Sequence, residues 1–190
     1  MLVNGLYCKN PADVAAEDFA YRGYNTPGDT RNQLGSLAVM INHTILPSLN
    51  TLGLSVARVD YAPGGVNPPH LHPRASEILT VIEGTLHVGF VTSNRIDGSN
   101  KLFALTLEKG DLFVFPQGLI HFQINKSTKK NAVANVVFGS QNPGVVTVAR
   151  AVFGSDPPID VDVLSRAFRV DADVIEEIQS EFNEVAIQLQ

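Results

Sequence analysis

The chain has one cysteine, Cys8, in 190 residues, so the sequence as it stands forms no intrachain disulfide. Charge is scarce too: Asp, Glu, Lys and Arg make up 17% of the residues, against roughly 25% in an average soluble protein. A surface so poor in charge predicts that part of it is covered, most simply by other subunits. Basic residues are in deficit, with a net charge of −5 and a pI near 5.4. That balance argues against nucleic acid and anionic membrane as partners. The one lysine cluster, Lys126 to Lys130 (KSTKK), reads as a solvated loop. No apolar run is long enough to cross a bilayer. The opening MLVNGLYC also lacks the basic, apolar and cleavage regions of a secretory signal.

What the chain does have is β-forming sequence. Residues 1–35 are rich in Gly, Pro, Asn and Asp and read as an irregular arm, with a short helix expected over Ala12–Phe19. From Ser36 to Phe153, runs rich in Val, Ile, Leu, Phe and Thr recur: SLAVMINHTI, LGLSVARVDYA, SEILTVIEG, TLHVGFVTS, KLFALTLEKG, DLFVFP, IHFQIN, NAVANVVFGS and GVVTVARAVFG. Breakers such as APGG, NRIDGSN, EKGD, PQG and QNPG separate them. Short strands divided by turns, with no long helix among them, predict a mainly β sandwich or barrel over residues 36–153. Residues 154–190 change period. Val174, Ile175, Ile178 and Phe182 recur at helical spacing behind Asp171, a residue suited to an N-cap, so a helical extension is expected there.

Chemistry concentrates in two segments. GGVNPPHLHPRASEILTVIEG, from Gly64 to Gly84, carries His70 and His72 at i and i+2, which share one face of a strand. Prolines around the pair remove ladder donors and place it at a strand edge or barrel mouth. Glu77 opens an otherwise apolar run, where a carboxylate is costly unless it meets a cation. GDLFVFPQGLIHFQIN, from Gly110 to Asn125, supplies His121 behind a Pro-x-Gly turn, with Gln123 on the same face. Three imidazoles and one carboxylate are a ligand set for a divalent transition metal; the donor types alone admit zinc, iron, nickel or manganese. His43 and His87 read as ordinary surface residues. Lys109-Gly110-Asp111 reads as a tight turn.

Gly64-(x)5-His70-x-His72-(x)4-Glu77-(x)6-Gly84 and Gly110-(x)5-Pro116-x-Gly118-(x)2-His121-(x)3-Asn125 match both cupin motifs without a gap. NTLGLSVARVDYAPGGVNPPHLHPRASE, FPQGLIHFQIN, SQNPG and FGSDPP resemble the plant germin-like proteins, and the likeness covers nearly the whole chain. The resemblance implies a cupin jelly-roll β-barrel with C-terminal α-helices and manganese held by His70, His72, Glu77 and His121. It further implies a homohexamer built as a trimer of dimers and secretion to the apoplast. Family members carry an N-terminal disulfide. Here only Cys8 matches it, which suggests a partner in a segment preceding this sequence.

Two activities and one non-catalytic role follow from the resemblance. Germin-like proteins dismutate superoxide, true germins oxidise oxalate, and a wall or storage protein would hold its metal structurally. Oxalate oxidation needs two asparagines to hold the substrate. Asn67 matches one, but the other position is Ala57, which donates no hydrogen bond, so superoxide is the expected small-molecule substrate, with Asn67 and Gln123 as its contacts. Two glycosylation sequons are present. Asn42 is expected to face solvent, opposite Leu37, Val39 and Ile41. Asn125 shares parity with His121 and Gln123 and is expected to face inward.

Overall fold

The computed structural model describes residues 1–188, with side chains described to Phe182. The chain divides into two compact units, Met1–Val145 and Val146–Gln190.

In the first unit the arm carries a two-stranded ladder, β1 (Leu2–Val3) with β2 (Leu6–Tyr7). The helix expected over Ala12–Phe19 is instead two single turns of 3-10 helix, Pro11–Asp13 and Ala16–Phe19. Val14 and Ala15 between them are extended, so the two turns do not join into one helix.

Nine further strands build two antiparallel sheets. They are β3 (Ser36–Ile41), β4 (Ser55–Tyr61), β5 (Val66–Leu71), β6 (Glu77–Glu83), β7 (Thr85–Val91), β8 (Leu102–Glu108), β9 (Leu112–Phe115), β10 (His121–Ile124) and β11 (Ala132–Phe138). One sheet runs in the order β5-β10-β7-β8, the other β3-β4-β11-β6-β9. Leu86, Val88 and Leu107 from the first meet Val59, Leu79, Val81, Phe115, Ala134 and Val136 from the second in one buried cluster. The mainly β cupin jelly roll expected from the sequence is thus the observed fold. The alternation that makes it is clear along β6, where Glu77, Leu79 and Val81 are buried and Ile78 and Ile82 are exposed. Gly84 makes the turn from β6 to β7 at φ +73°, where a Cβ would collide with the carbonyl oxygen of Asn131. Lys109-Gly110-Asp111 is the tight turn expected, with the Gly110 amide donating to the Val81 carbonyl.

The second unit holds β12 (Val146–Thr147) and three helices, α1 (Val148–Phe153), α2 (Val161–Phe168) and α3 (Ala172–Gln188). The run GVVTVARAVFG therefore becomes mostly helix where its β-branched residues suggested strand. Ala149, Arg150 and Ala151 are strong helix formers at its centre, and Gly154 caps it. Within α3, Ile175 is fully buried, whereas Val174, expected on the same apolar stripe, is exposed. The Phe182 ring lies parallel to that of Phe153.

Candidate metal centre

The four predicted ligands come together between the two sheets of the first unit. His70 lies near the end of β5 and His72 just beyond it. His121 opens β10 directly across from His70, and Glu77 opens β6 on the opposing sheet. The turn Pro116-Gln117-Gly118 brings His121 there: the Gly118 amide donates to the His72 carbonyl, and the Gln117 amide to Ser76 Oγ. One ligand atom from each of the four residues lies within 4.8 Å of all the others, and all four residues are buried.

Each imidazole is oriented by a backbone carbonyl. Nδ1–H of His70 donates to Pro68 O at 2.8 Å, that of His72 to Gly144 O at 2.6 Å, and that of His121 to Leu119 O at 2.8 Å. A carbonyl only accepts, so the proton of each neutral ring sits on Nδ1 and the lone pair on Nε2. All three lone pairs then converge on Glu77. His72 Nε2 is 3.0 Å and His121 Nε2 3.3 Å from Glu77 Oε2, yet neither pair makes a hydrogen bond, and His121 Nε2 is a buried nitrogen without a partner. Lone pairs facing a carboxylate repel unless a cation or a proton lies between them.

Electrostatics favour the cation. Burial above all, then the neighbouring His121, pushes the His70 imidazolium down to about 4, so the ring is neutral at ordinary pH. Burial opposes ionisation of Glu77, but His121 and His72, once a proton sits on the Nε2 atoms that face it, outweigh burial and hold the carboxyl at about 2. Neutral imidazoles and an ionised carboxylate are the protonation states that metal ligands require. The residues therefore fit a divalent metal. The Nδ1–carbonyl bonds are the outer contacts that orient such ligands.

Aromatic rings wall the site. Phe115 stacks on His121 with centroids 4.5 Å apart, and Phe138 meets the edge of His72 at 4.7 Å. Phe115 and Phe138 are also the register partners of Glu77 on either side. Gln123 is inward and 1% exposed, paired in register with Asn67, which is half-buried. A bulge on β5, where Pro68 and Pro69 stand opposite Phe122 alone, separates that pair from the His121–His70 pair. Ala57 also points inward, buried in the apolar cluster beside Met40 and Val136.

Sequence reasoning did not find the carbonyl of Gly144. It is held in place by Pro143 O, which accepts from the Arg74 amide, and by Asn142 O, which accepts from Arg74 Nε. The SQNPG string was a visible signal only of a turn.

The asparagines of the two sequons differ in burial, and one premise of the expectation for Asn42 fails. Asn125 is fully buried, and its Nδ2 donates to both Ala62 O and Lys130 O. On β3, however, Met40 packs on the core cluster opposite Ala57, so Leu37, Val39 and Ile41 share the other face, where Leu37 is exposed and Ile41 is buried. Asn42 is partly exposed for another reason. The strand ends at Ile41, and the Asn42 side chain turns to accept from the amides of Thr44 and Ile45. His87 lies on β7 beside Thr106, outside the cluster, and His43 bonds Gln141 O. Cys8 is an exposed thiol on a cleft of about 610 Å³ between the arm and residues 45–51.

Comparison with known proteins agrees with this geometry. The family model described as Cupin matches residues 22–176. Germin-like protein 12-2 of Oryza sativa subsp. japonica is 57% identical over 182 residues, covering 95% of this chain and 80% of that protein. Germin-like protein subfamily 1 member 20 of Arabidopsis thaliana is 53% identical over 185 residues, covering 97% and 82%. Among solved structures, an oxalate oxidase in complex with the substrate analogue glycolate superposes with a TM-score of 0.90 at 43% identity, covering 97% of this chain and 90% of that one.

Proposed function

The chain belongs to the germin-like proteins of the cupin family, and on that premise we propose that it is a secreted manganese protein that consumes superoxide. His70, His72, Glu77 and His121 would hold the ion. The observation that carries this reading is the convergence of three proton-free Nε2 atoms and one carboxylate in a buried site. Manganese, among the metals this donor set accepts, is supported by the germin resemblance. A bound manganese would supply one-electron redox chemistry, so that superoxide is in turn oxidised to dioxygen and reduced to peroxide.

The chain's own residues prepare that chemistry. The carbonyls of Pro68, Gly144 and Leu119 keep the imidazoles in a single tautomer, so no ring has to turn before binding. Glu77 provides one full negative charge against the cation, and Phe115 and Phe138 keep bulk water from the ligand nitrogens. Gln123 Nε2, buried and without a partner, is a donor available to a small anion.

Superoxide is favoured over oxalate by Ala57. Its methyl group lies among apolar side chains, with no donor for a second substrate carboxylate. The oxidase resemblance thus supports the metal site more than the substrate. Metal analysis of the purified protein, with superoxide-loss and oxalate-dependent peroxide assays, tests the reading. Superoxide loss in proportion to manganese content is expected, with no peroxide from oxalate. Full metal occupancy with neither activity would favour the non-catalytic wall or storage role.

Secretion and a hexamer, a trimer of dimers, complete the proposal. The scarcity of charge supports assembly. So does an apolar row on the outer face of the β3-β4-β11-β6-β9 sheet, where Val114, Ile78 and Val137 lie side by side in register and all are exposed. Glycan is expected on Asn42 and not on Asn125, because a sugar on the buried Asn125 amide would displace its two carbonyl partners. Peptide mass spectrometry of secreted protein reads this directly, and modified Asn125 in folded material would contradict it.

A further inference from the structure

Tyr61 ends β4 on its inward face and is 1% exposed, an unusual setting for a phenol that must find a partner. The acceptor for its proton is Gln123, and the Asn67 side chain also stands beside the hydroxyl. The hydroxyl lies 3.4 Å from Gln123 Oε1, long for an O–H···O bond, so the contact orients the amide more than it binds it. The other end of that amide, Nε2, is fully buried and has no hydrogen-bond partner among the described residues. An unmatched donor in a native interior calls for a ligand or an ordered water. Which end of an amide points where follows from its partners. The phenol proton needs an acceptor, and Oε1 supplies it. Burial first, and the Glu77 charge next, push the phenol well above its ordinary value, so it keeps that proton. Gln123 stands two residues beyond His121 on the same inward face.

We propose that Tyr61 is a positioning residue whose hydroxyl holds the Gln123 carboxamide oxygen, so that Nε2 is presented to an anionic ligand at the His70–His72–Glu77–His121 centre. This rests on the metal reading above. Without the hydroxyl the amide is free to turn its oxygen toward the ligand, replacing a donor with a repelling acceptor. The hydroxyl thereby selects for anions over neutral ligands of similar size.

Azide, a small anion that binds open metal positions, is the probe. The full chain is loaded with manganese, its metal content is measured, and azide is then titrated by absorbance and electron paramagnetic resonance. Tyr61→Phe is expected to keep its manganese and bind azide about threefold to tenfold more weakly. Gln123→Met is expected to lose about tenfold or more, the weight of one hydrogen bond to a charged group. The double variant is expected to bind no more weakly than Gln123→Met alone, since the hydroxyl acts only through the amide. Wild-type azide affinity in metal-loaded Tyr61→Phe overturns the proposal, as does a further loss in the double variant. If Tyr61→Phe fails to fold, Gln123→Glu decides. It keeps the side-chain shape and an acceptor toward the phenol, and undiminished azide binding there overturns the proposal. A wild-type chain that takes up no metal removes the underlying reading instead, and this shows in the metal content before azide is added.

Discussion

His121→Ala is expected to abolish stoichiometric metal binding and, with it, superoxide loss. The substitution removes one of three imidazoles, and the loss exceeds that of an outer contact, whose removal typically weakens metal affinity about 10- to 100-fold. A decrease of at least about 100-fold is therefore expected. The remaining residues do not compensate. His121 is the first of the neighbours that hold the Glu77 carboxyl low, so its removal lets burial drive Glu77 back toward the protonated form. The ring also fills space, stacked on Phe115 and 4.1 Å from the His70 ring, and the cavity left behind loosens both. His87→Ala is the control: it removes a histidine of the same sheet that lies outside the cluster, and metal content is expected to stay unchanged. Metal analysis of both variants after gel filtration, with a superoxide assay, reads the outcome. A His121→Ala protein that retains one metal per chain and full activity would move the centre elsewhere.

Acid is expected to destabilise the metal-free protein well before general denaturation. His70 stands at about 4 in the folded chain against an ordinary 6.5. Between those values the unfolded chain binds a proton that the folded chain refuses, so stability falls as pH falls. The contribution is complete above pH 6.5 and is lost progressively down to about 4. Its full size is about 3 kcal/mol by the usual conversion of pKa shift to free energy. Glu77, held at about 2 against an ordinary 4.5, adds a second window, with stability present above pH 4.5 and lost toward pH 2. The same depression protects the metal. Protons compete for His70 Nε2 only as the pH approaches 4, so loss of the ion through this ligand is expected to be complete only below about 4. Urea midpoints of the metal-free protein between pH 7 and 4.5, with metal content after dialysis at each pH, measure both. A stability flat between pH 6.5 and 4.5 would mean that the His70 ring is not held neutral by burial.

The site was unusually legible because its ligands follow strand periodicity. His70 and His72 at i and i+2, and His121 and Gln123 likewise, share a face by backbone geometry alone, and the structure puts His70, His72, His121 and Gln123 inside. Asn125 was placed inward by the same parity. Parity failed on β3, where Leu37, Val39 and Ile41 are all apolar but share the face turned away from the core cluster that Met40 packs against, because an apolar run marks both faces alike. It also gave no guide to GVVTVARAVFG, whose Val and Thr content suits a strand while Ala149, Arg150 and Ala151 suit the helix that forms. Tyr61 was invisible as a functional residue: its hydroxyl matters only because β4 and β10, sixty-two residues apart at this contact, face each other.

By itself the sequence determined which atoms were available and on which faces. It specified three imidazoles, one carboxylate in an apolar run, glycines at the turns, and the apolar Ala57 on β4. Only the tertiary structure decided how those atoms are used. It brought Glu77 from the opposing sheet to within 3.0 Å of His72 Nε2 and chose which nitrogen of each ring faces the centre. For His70 and His121 that choice is local, through the carbonyls of Pro68 and Leu119 two residues away. For His72 it comes from Gly144, seventy-two residues away along the chain. An imidazole has two nearly equivalent nitrogens, and only a neighbouring acceptor distinguishes them. For His72 that neighbour exists only once the chain has folded.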